Sequence, residues 1–179
     1  KPIQAVVINS GCANACTGQR GLDDAHRTAQ WVGEALGSPS DAVFVMSTGV
    51  IGQPLPMSKI AAGIQGASRE LSVQGGHAAA RAIMTTDTRP KEAAVRIRVG
   101  EAEVTIAGMC KGAGMIHPGM ATMLALLATD VAIEPALLKT ALHGVVDRTF
   151  NMVTVDGDMS TNDTILALAN GQADNELLA

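Results

Sequence analysis

The stretch KGAGMIHPGMATMLALLATD, from Lys111 to Asp130, joins a glycine-rich segment to a predicted buried strand. Its second half contains a mostly apolar run, residues 122–128, which predicts a buried strand. Glycines and a proline precede this run, and glycine allows backbone conformations that other residues avoid. Thr122 is therefore predicted to be the first residue of a buried strand, after a segment whose glycines allow unusual backbone conformations.

Thr122 has two interpretations. A β-branched residue in an apolar strand is ordinary, and most such threonines are structural. Alternatively, its hydroxyl attacks the carbonyl of the preceding residue, Ala121, and cleaves the chain at that point. The new α-amino group would have a reference pKa of about 7.7–8.0, which suits a general base beside a threonine nucleophile. From the residues alone both interpretations stay open.

Composition and charge limit the classes of function. The 179 residues are 47% hydrophobic and carry a formal net charge of −4 without a basic run, which argues against nucleic acid as a partner. No apolar stretch reaches the roughly 20 residues of a membrane helix. The three cysteines, with Cys12 and Cys16 lacking a second ligand pair, indicate reduced thiols and no metal site. We therefore expect a cytoplasmic protein.

Strands and helices alternate along the chain. Apolar runs predict strands at 3–9, 42–46, 94–99, 103–107, 122–128 and 152–155. Helical patterns cover 22–36, 57–71, 76–84 and 134–150, and a further helix is predicted from about Thr164. The first of these helices is predicted to have Asp23 and Asp24 in its first turn and Gly37 at its end, and the helix 134–150 to have Pro135 in its first turn. Gly100 and Glu101 predict the turn of a hairpin. This alternation predicts an α/β (α+β) fold with helices against the sheets, within a single domain portion.

Three further polar positions are candidates for a site. Ser47-Thr48-Gly49 is either an ordinary strand exit or an oxyanion hole, since the Gly49 N–H and the Thr48 hydroxyl can point at one spot. Thr85, in the cluster TTDTRPK, belongs to a polar turn or holds a carboxylate or amide of a small substrate. Lys111 is either a solvated surface lysine or the partner of a substrate carboxylate.

Five motifs, in order along almost the whole chain, resemble those of the ornithine acetyltransferase family: NSGCANACTG, VMSTGVIG, IMTTDTRPKEA, GMCKGAGMIHPGMATMLALLATD and VDGDMSTNDT. The resemblance implies a precursor that cleaves itself between Ala121 and Thr122. Residues 1–121 would end one piece and residues 122–179 would begin the other. Thr122 would then carry acetyl from N2-acetylornithine to glutamate in arginine biosynthesis.

The resemblance also assigns roles to the other candidates. It implies that Thr48 and Gly49 stabilise the oxyanion, and that Thr85, Lys111 and Thr122 bind the substrate. It implies a sandwich of sheets between helices, similar to self-processing aminopeptidases of the DmpA type. It further implies a heterotetramer of the two pieces, no cofactor, and acetyl-CoA as an additional acetyl donor in some members. Family chains are longer than this one, so the sequence is expected to be a central fragment.

Two other functions remain open at the level of sequence. The first is a self-processing aminopeptidase or amidase of the same architecture, which would hydrolyse the acyl-enzyme instead of transferring the acyl group. The second is a non-catalytic, amino-acid-binding paralogue that retains the motifs.

Overall fold

The computed structural model describes residues 2–117 and 123–179, and they form two compact units that meet in sequence between Thr85 and Thr86. Unit 1 contains β1 (Ala5–Cys12), α1 (Gly18–Leu36), β2 (Val43–Val50), α2 (Met57–Arg69) and α3 (Gly76–Ala82). Unit 2 contains β3 (Lys91–Val99), β4 (Ala102–Lys111), β5 (Leu124–Thr129), α4 (Pro135–Val146) and β6 (Thr164–Ala169). Short 3-10 turns occupy Ser40–Ala42 and Phe150–Met152. Among the described residues, no helix has both the length and the apolar character to cross a membrane.

Unit 1 is built on a parallel pair of strands. A parallel pair needs a long crossover connection, and α1 supplies it between β1 and β2. Its core joins Val32 of α1, Val43 of β2 and Ile64 of α2. Helix α1 ends at Gly37, which adopts the left-handed conformation (φ +69°) typical of a helix C-terminus.

The two strands of unit 1 approach each other closely at Gly11 and Gly49. These glycines pair across the sheet, and Gly49 has φ +132°. A Cβ at position 49 would lie 2.3 Å from the Gly11 carbonyl carbon. A side chain would therefore collide with backbone while holding a disfavoured φ. Because glycines permit this approach, both strands continue past Ser10 and Ser47, where the sequence predicted that they end.

We expect Gly49→Ala to lower the free energy of unfolding by about 2–4 kcal/mol, because it combines backbone strain with overpacking. The matched control is Gly66→Ala on α2, where a Cβ meets nothing within 4 Å. Alanine is more favourable than glycine in a helix interior by up to about 1 kcal/mol. The control should therefore be at least as stable as the wild type. Denaturant unfolding measures both variants, and a Gly49→Ala protein of wild-type stability would contradict the close approach.

Unit 2 is a four-stranded sheet in the order β3-β4-β5-β6. Strands β3 and β4 form an antiparallel hairpin, β5 pairs antiparallel to β4, and β6 pairs parallel to β5. Leu124, the first residue of β5, pairs with Lys111 on one side and with Thr164 on the other. Val104, Leu124 and Ala125 are almost completely buried, so this part of the sheet is the core of the unit.

The predicted α/β class is confirmed, as are the hairpin at Gly100 and a helix with Pro135 in its first turn. Two predicted elements are wrong. The segment from Thr164 is strand β6 and not a helix, because its apolar residues pair with β5. The segment 152–155 is not a strand; a 3-10 turn ends at Met152, and the Val155 N–H instead donates to the Ile116 carbonyl (2.9 Å).

Other boundaries differ by a few residues. Helix α1 begins at Gly18, so Asp23 and Asp24 lie beyond the first turn where the sequence placed them. Helix α4 ends at Val146, before the predicted end at residue 150. The predicted division of the chain between Ala121 and Thr122 lies outside the described residues and stays a prediction.

Candidate active site

Lys111, the last residue of β4, is buried, with only 2% of its surface exposed. The interpretation of Lys111 as a solvated surface lysine is therefore wrong. Burial disfavours the charged ammonium and lowers the pKa of Lys111, and Lys91 acts in the same direction. The carboxylates of Asp87 and Asp163 oppose this shift. Unit 2 thus holds a cation inside the protein, with two acids close enough to act on it.

Asp87 holds the backbone that follows Lys111. Its side chain is completely buried, forms an ion pair with Lys91, and accepts a hydrogen bond from the Gly112 N–H (2.8 Å). Sequence reasoning noticed the hydroxyls around Asp87 and missed the acid itself. The available signal was Lys91 four residues later, while the bond to Gly112 spans 25 positions and has no local signature.

Asp163 holds the backbone at Met123. Its Oδ1 accepts a hydrogen bond from the Met123 N–H (2.7 Å), and the N–H of the next residue, Thr164, donates to the Met123 carbonyl (3.0 Å). The other carboxylate oxygen, Oδ2, is buried and accepts no hydrogen bond from the described residues. Burial raises the pKa of Asp163, whereas the Met123 N–H, Ser160 and the charge of Lys111 act against this rise.

Asp156 binds the backbone upstream of the predicted cleavage point. Its carboxylate accepts hydrogen bonds from the N–H groups of Met115 (2.5 Å) and Ile116 (2.9 Å). The Val155 N–H donates back to the Ile116 carbonyl (2.9 Å). We call residues 154–163 the acidic loop. Through Asp156 and Asp163, the acidic loop contacts the chain before residue 118 and again at Met123.

The candidates of unit 1 have different environments. Thr48 is 1% exposed and lies on β2 next to Gly49, so strand β2 does bring these two predicted residues together. The neighbouring Ser47 hydroxyl donates to the Asn9 side chain (2.8 Å). Thr85 is exposed, three residues after the end of α3. The two remaining candidates, Ala121 and Thr122, lie outside the described residues.

A cavity of about 530 Å³ also opens on unit 2. Its described lining includes Arg89, Lys91, Cys110 and Phe150, and includes neither Lys111 nor Asp163. Burial raises the pKa of the Cys110 thiol, which disfavours the reactive thiolate. The size of this cavity alone therefore does not make it the candidate site, and the charged groups around Lys111 are the better candidate.

We expect the stability contributed by Asp156 to depend on pH. Its backbone hydrogen bonds from Met115 and Ile116 hold its pKa below the ordinary value. A depressed carboxyl pKa gives stability that is present above the unfolded pKa of about 3.9 and is lost as the pH falls through the folded pKa. Asp156→Asn should therefore unfold at a lower temperature than the wild type at about pH 7, and the difference should shrink below about pH 4.

Thermal unfolding between about pH 7 and about pH 2 checks this expectation. Asp158→Asn is the matched control, because Asp158 lies exposed in the same loop and only its backbone N–H approaches Asp156. The control should follow the wild type at every pH. A constant difference between Asp156→Asn and the wild type would contradict the role of the ionised carboxylate.

The chain matches known proteins over its whole length. The profile of the ArgJ family matches residues 1–179. "Arginine biosynthesis bifunctional protein ArgJ" of Symbiobacterium thermophilum is 58% identical over 173 residues, which is 97% of this chain and 43% of that protein. The protein of the same name from Caldanaerobacter subterraneus is 53% identical over 175 residues, again 43% of its length. The chain thus spans less than half the length of these curated relatives.

Two solved structures are similar in fold. The crystal structure of the arginine biosynthesis bifunctional protein of Bacillus halodurans has a TM-score of 0.59 at 44% identity, covering 66% of this chain and 61% of that one. Ornithine acetyltransferase from Mycobacterium tuberculosis, solved in complex with ornithine, has a TM-score of 0.53 at 41% identity, covering 64% and 61%.

These matches show that the chain has a mixed α/β fold, which it shares with proteins of arginine biosynthesis. The chain belongs to the ArgJ family. The resemblance to ornithine acetyltransferases that the five motifs indicated is thereby confirmed.

Proposed function

We propose that the protein carrying this chain transfers an acetyl group from N2-acetylornithine to glutamate, as a step of arginine biosynthesis. The observation that carries the proposal is Lys111, a cation buried at the end of β4 and paired in the sheet with Leu124, two residues after Thr122. Relatives at 58% and 53% identity are named as bifunctional arginine biosynthesis proteins, and a solved relative holds ornithine.

The chemistry needs two displacements at one hydroxyl. In the first, Thr122 Oγ attacks the acetyl carbonyl, the amide C–N bond breaks, and ornithine leaves after its amine takes a proton. In the second, the amine of glutamate attacks the acetyl ester, and Thr122 Oγ leaves with a proton. The α-amino group of Thr122, freed by cleavage after Ala121, moves the proton in both directions. The amide lost in the first step is regained in the second.

Thr48 and Gly49 are assigned to the oxyanion in this proposal. Donors placed where charge develops contribute roughly 10²–10³ in rate, and they work best when they are rigid and shielded from water. The burial of Thr48 and the close approach of Gly49 to Gly11 support that role, because both restrict movement of this part of β2.

Lys111, with Thr85, is assigned to the α-carboxylate that acetylornithine and glutamate share. A buried ammonium is costly unless an anion compensates it, and this cost is visible as the lowered pKa of Lys111. A substrate carboxylate supplies such an anion on binding. This carboxylate would act on Lys111 in the same direction as Asp87 and Asp163, by favouring the charged ammonium.

The proposal extends to the partners and the surroundings. The two pieces produced by cleavage stay together as a heterotetramer, no cofactor takes part, and acetyl-CoA serves as an additional acetyl donor. A cytoplasmic location agrees with three cysteines that are all free. No nucleic acid or membrane is part of the proposed activity.

The intact mass of the full-length protein that carries this chain tests the self-processing step. We expect two species whose junction lies between Ala121 and Thr122, because the freed amine is the proposed base. Thr122→Ala should stay whole and transfer no acetyl. A wild-type protein that remains intact and still transfers acetyl at full rate would overturn the proposal. Release of acetate without acetylglutamate would instead identify a hydrolase.

We expect Lys111→Met to raise the KM for acetylornithine at least about tenfold, since a charge-assisted contact to a carboxylate is worth about 1.5–3 kcal/mol. The unfolding temperature should also fall, because the substitution removes the charge of Lys111 that acts on the Asp163 carboxylate. Steady-state kinetics and thermal unfolding measure the two effects.

Lys139→Met is the matched control, since Lys139 is exposed on α4. Its KM should equal that of the wild type. A Lys111→Met protein with an unchanged KM would contradict the assignment of Lys111 to the substrate.

A further inference from the structure

We propose that Asp163 is a positioning residue for the nucleophile: it holds the peptide unit that joins Thr122 to Met123. The inference rests on the proposed function, in which Thr122 is the nucleophile. It assigns to the acidic loop a part in both self-cleavage and acetyl transfer.

The contact lies one bond from the proposed nucleophilic residue. The Met123 nitrogen that donates to Asp163 Oδ1 (2.7 Å) is bonded to the carbonyl carbon of Thr122. Since a peptide unit is planar, a hydrogen bond that holds this N–H also orients the whole unit. The hydrogen bond to Asp163 therefore fixes the atom of the described chain to which Thr122 is bonded.

Met123 itself has little freedom to move. Its side chain packs with buried Ile116 and partly buried Phe150, and its carbonyl accepts a hydrogen bond from the N–H of Thr164, the residue after Asp163. Immediately after Met123, Leu124 is 2% exposed and pairs with Lys111. The hydrogen bond between Met123 and Asp163 thus lies directly before β5, and β5 is paired with the strand that ends at Lys111.

The contact to Met123 needs only one oxygen of the Asp163 side chain. Oδ1 accepts the hydrogen bond from the Met123 N–H (2.7 Å), and the amide oxygen of an asparagine could accept it in the same place. The proposed positioning therefore depends on an acceptor at residue 163 and not on its negative charge.

The same loop also holds the other side of the predicted cleavage point. Asp156 accepts hydrogen bonds from Met115 and Ile116, and Val155 returns one to Ile116. The acidic loop therefore fixes the chain at residues 115–116 and again at Met123. Contacts that hold the chain on both sides of a reacting bond are one way in which positioning contributes to rate.

The test compares Asp163→Ala with Asp163→Asn in the full-length protein. Asp163→Ala removes the acceptor, and we expect cleavage at Ala121–Thr122 and kcat to fall at least about tenfold, because small misplacements of reacting groups cost about that much or more. Asp163→Asn removes the same negative charge from the surroundings of Lys111, so the two variants should have the same KM for acetylornithine and should differ in kcat. Asp163→Asn keeps an acceptor for Met123 and should restore both rates to within about threefold of the wild type.

Asp158→Asn, the same charge change at an exposed site of the acidic loop, should cleave and turn over like the wild type. If Asp163→Ala does not accumulate as folded protein, Asp163→Ser replaces it, since its shorter side chain cannot span the contact to Met123; the expected losses are the same.

Wild-type rates in the variant that lacks the acceptor would overturn the inference, and so would an Asp163→Asn protein no faster than Asp163→Ala. A rise in KM without a fall in kcat would also overturn it, because that pattern belongs to a substrate contact. A wild-type protein that neither cleaves nor transfers acetyl would overturn the proposed function as well. The two failures are therefore distinguishable.

Discussion

The structure of unit 2 depends on how the backbone of Met123 is held by two consecutive residues, Asp163 and Thr164. These bonds start the parallel pairing of β5 and β6. Through that pairing they place Leu124 between Thr164 and Lys111, at the most buried part of the sheet. The peptide unit after the proposed nucleophile and the buried cation consequently belong to one hydrogen-bonded ladder. Their spacing is set by strand geometry and not by side-chain flexibility.

The charges around Lys111 are a cost to the fold that the proposed chemistry explains. Burial lowers the pKa of Lys111 and raises that of Asp163, so each group is held where its charged form is disfavoured. The carboxylate of Asp87 has direct partners for its charge: it forms an ion pair with Lys91 and accepts a hydrogen bond from the Gly112 N–H. Titratable groups with shifted pKa values that lie together in this way are a feature of functional sites.

Local signals in the sequence predicted a large part of the fold. Gly37 ends α1, Gly100 turns the β3-β4 hairpin, and Pro135 opens α4, each for a reason confined to a few neighbouring residues. The segment TILALA at Thr164–Ala169 was assigned wrongly because its five consecutive apolar residues fit a helix as well as a buried strand, and its partner β5 lies 40 positions earlier. The acids were missed for the same reason: Asp87, Asp156 and Asp163 bind backbone groups 25 to 41 positions away. The motifs that resemble a known family supplied the remaining site residues, whereas periodicity alone left Thr122 undecided.

Amide hydrogen exchange at Met123 reports on the bond to Asp163 without requiring activity. We expect the Met123 N–H to be protected like the strand amide of Leu126 in the wild type, and to lose most of that protection in Asp163→Ala while Leu126 keeps its own. If the Met123 N–H of the wild type exchanges as fast as an exposed amide of the acidic loop, this backbone is not held and the proposed positioning of Thr122 is wrong.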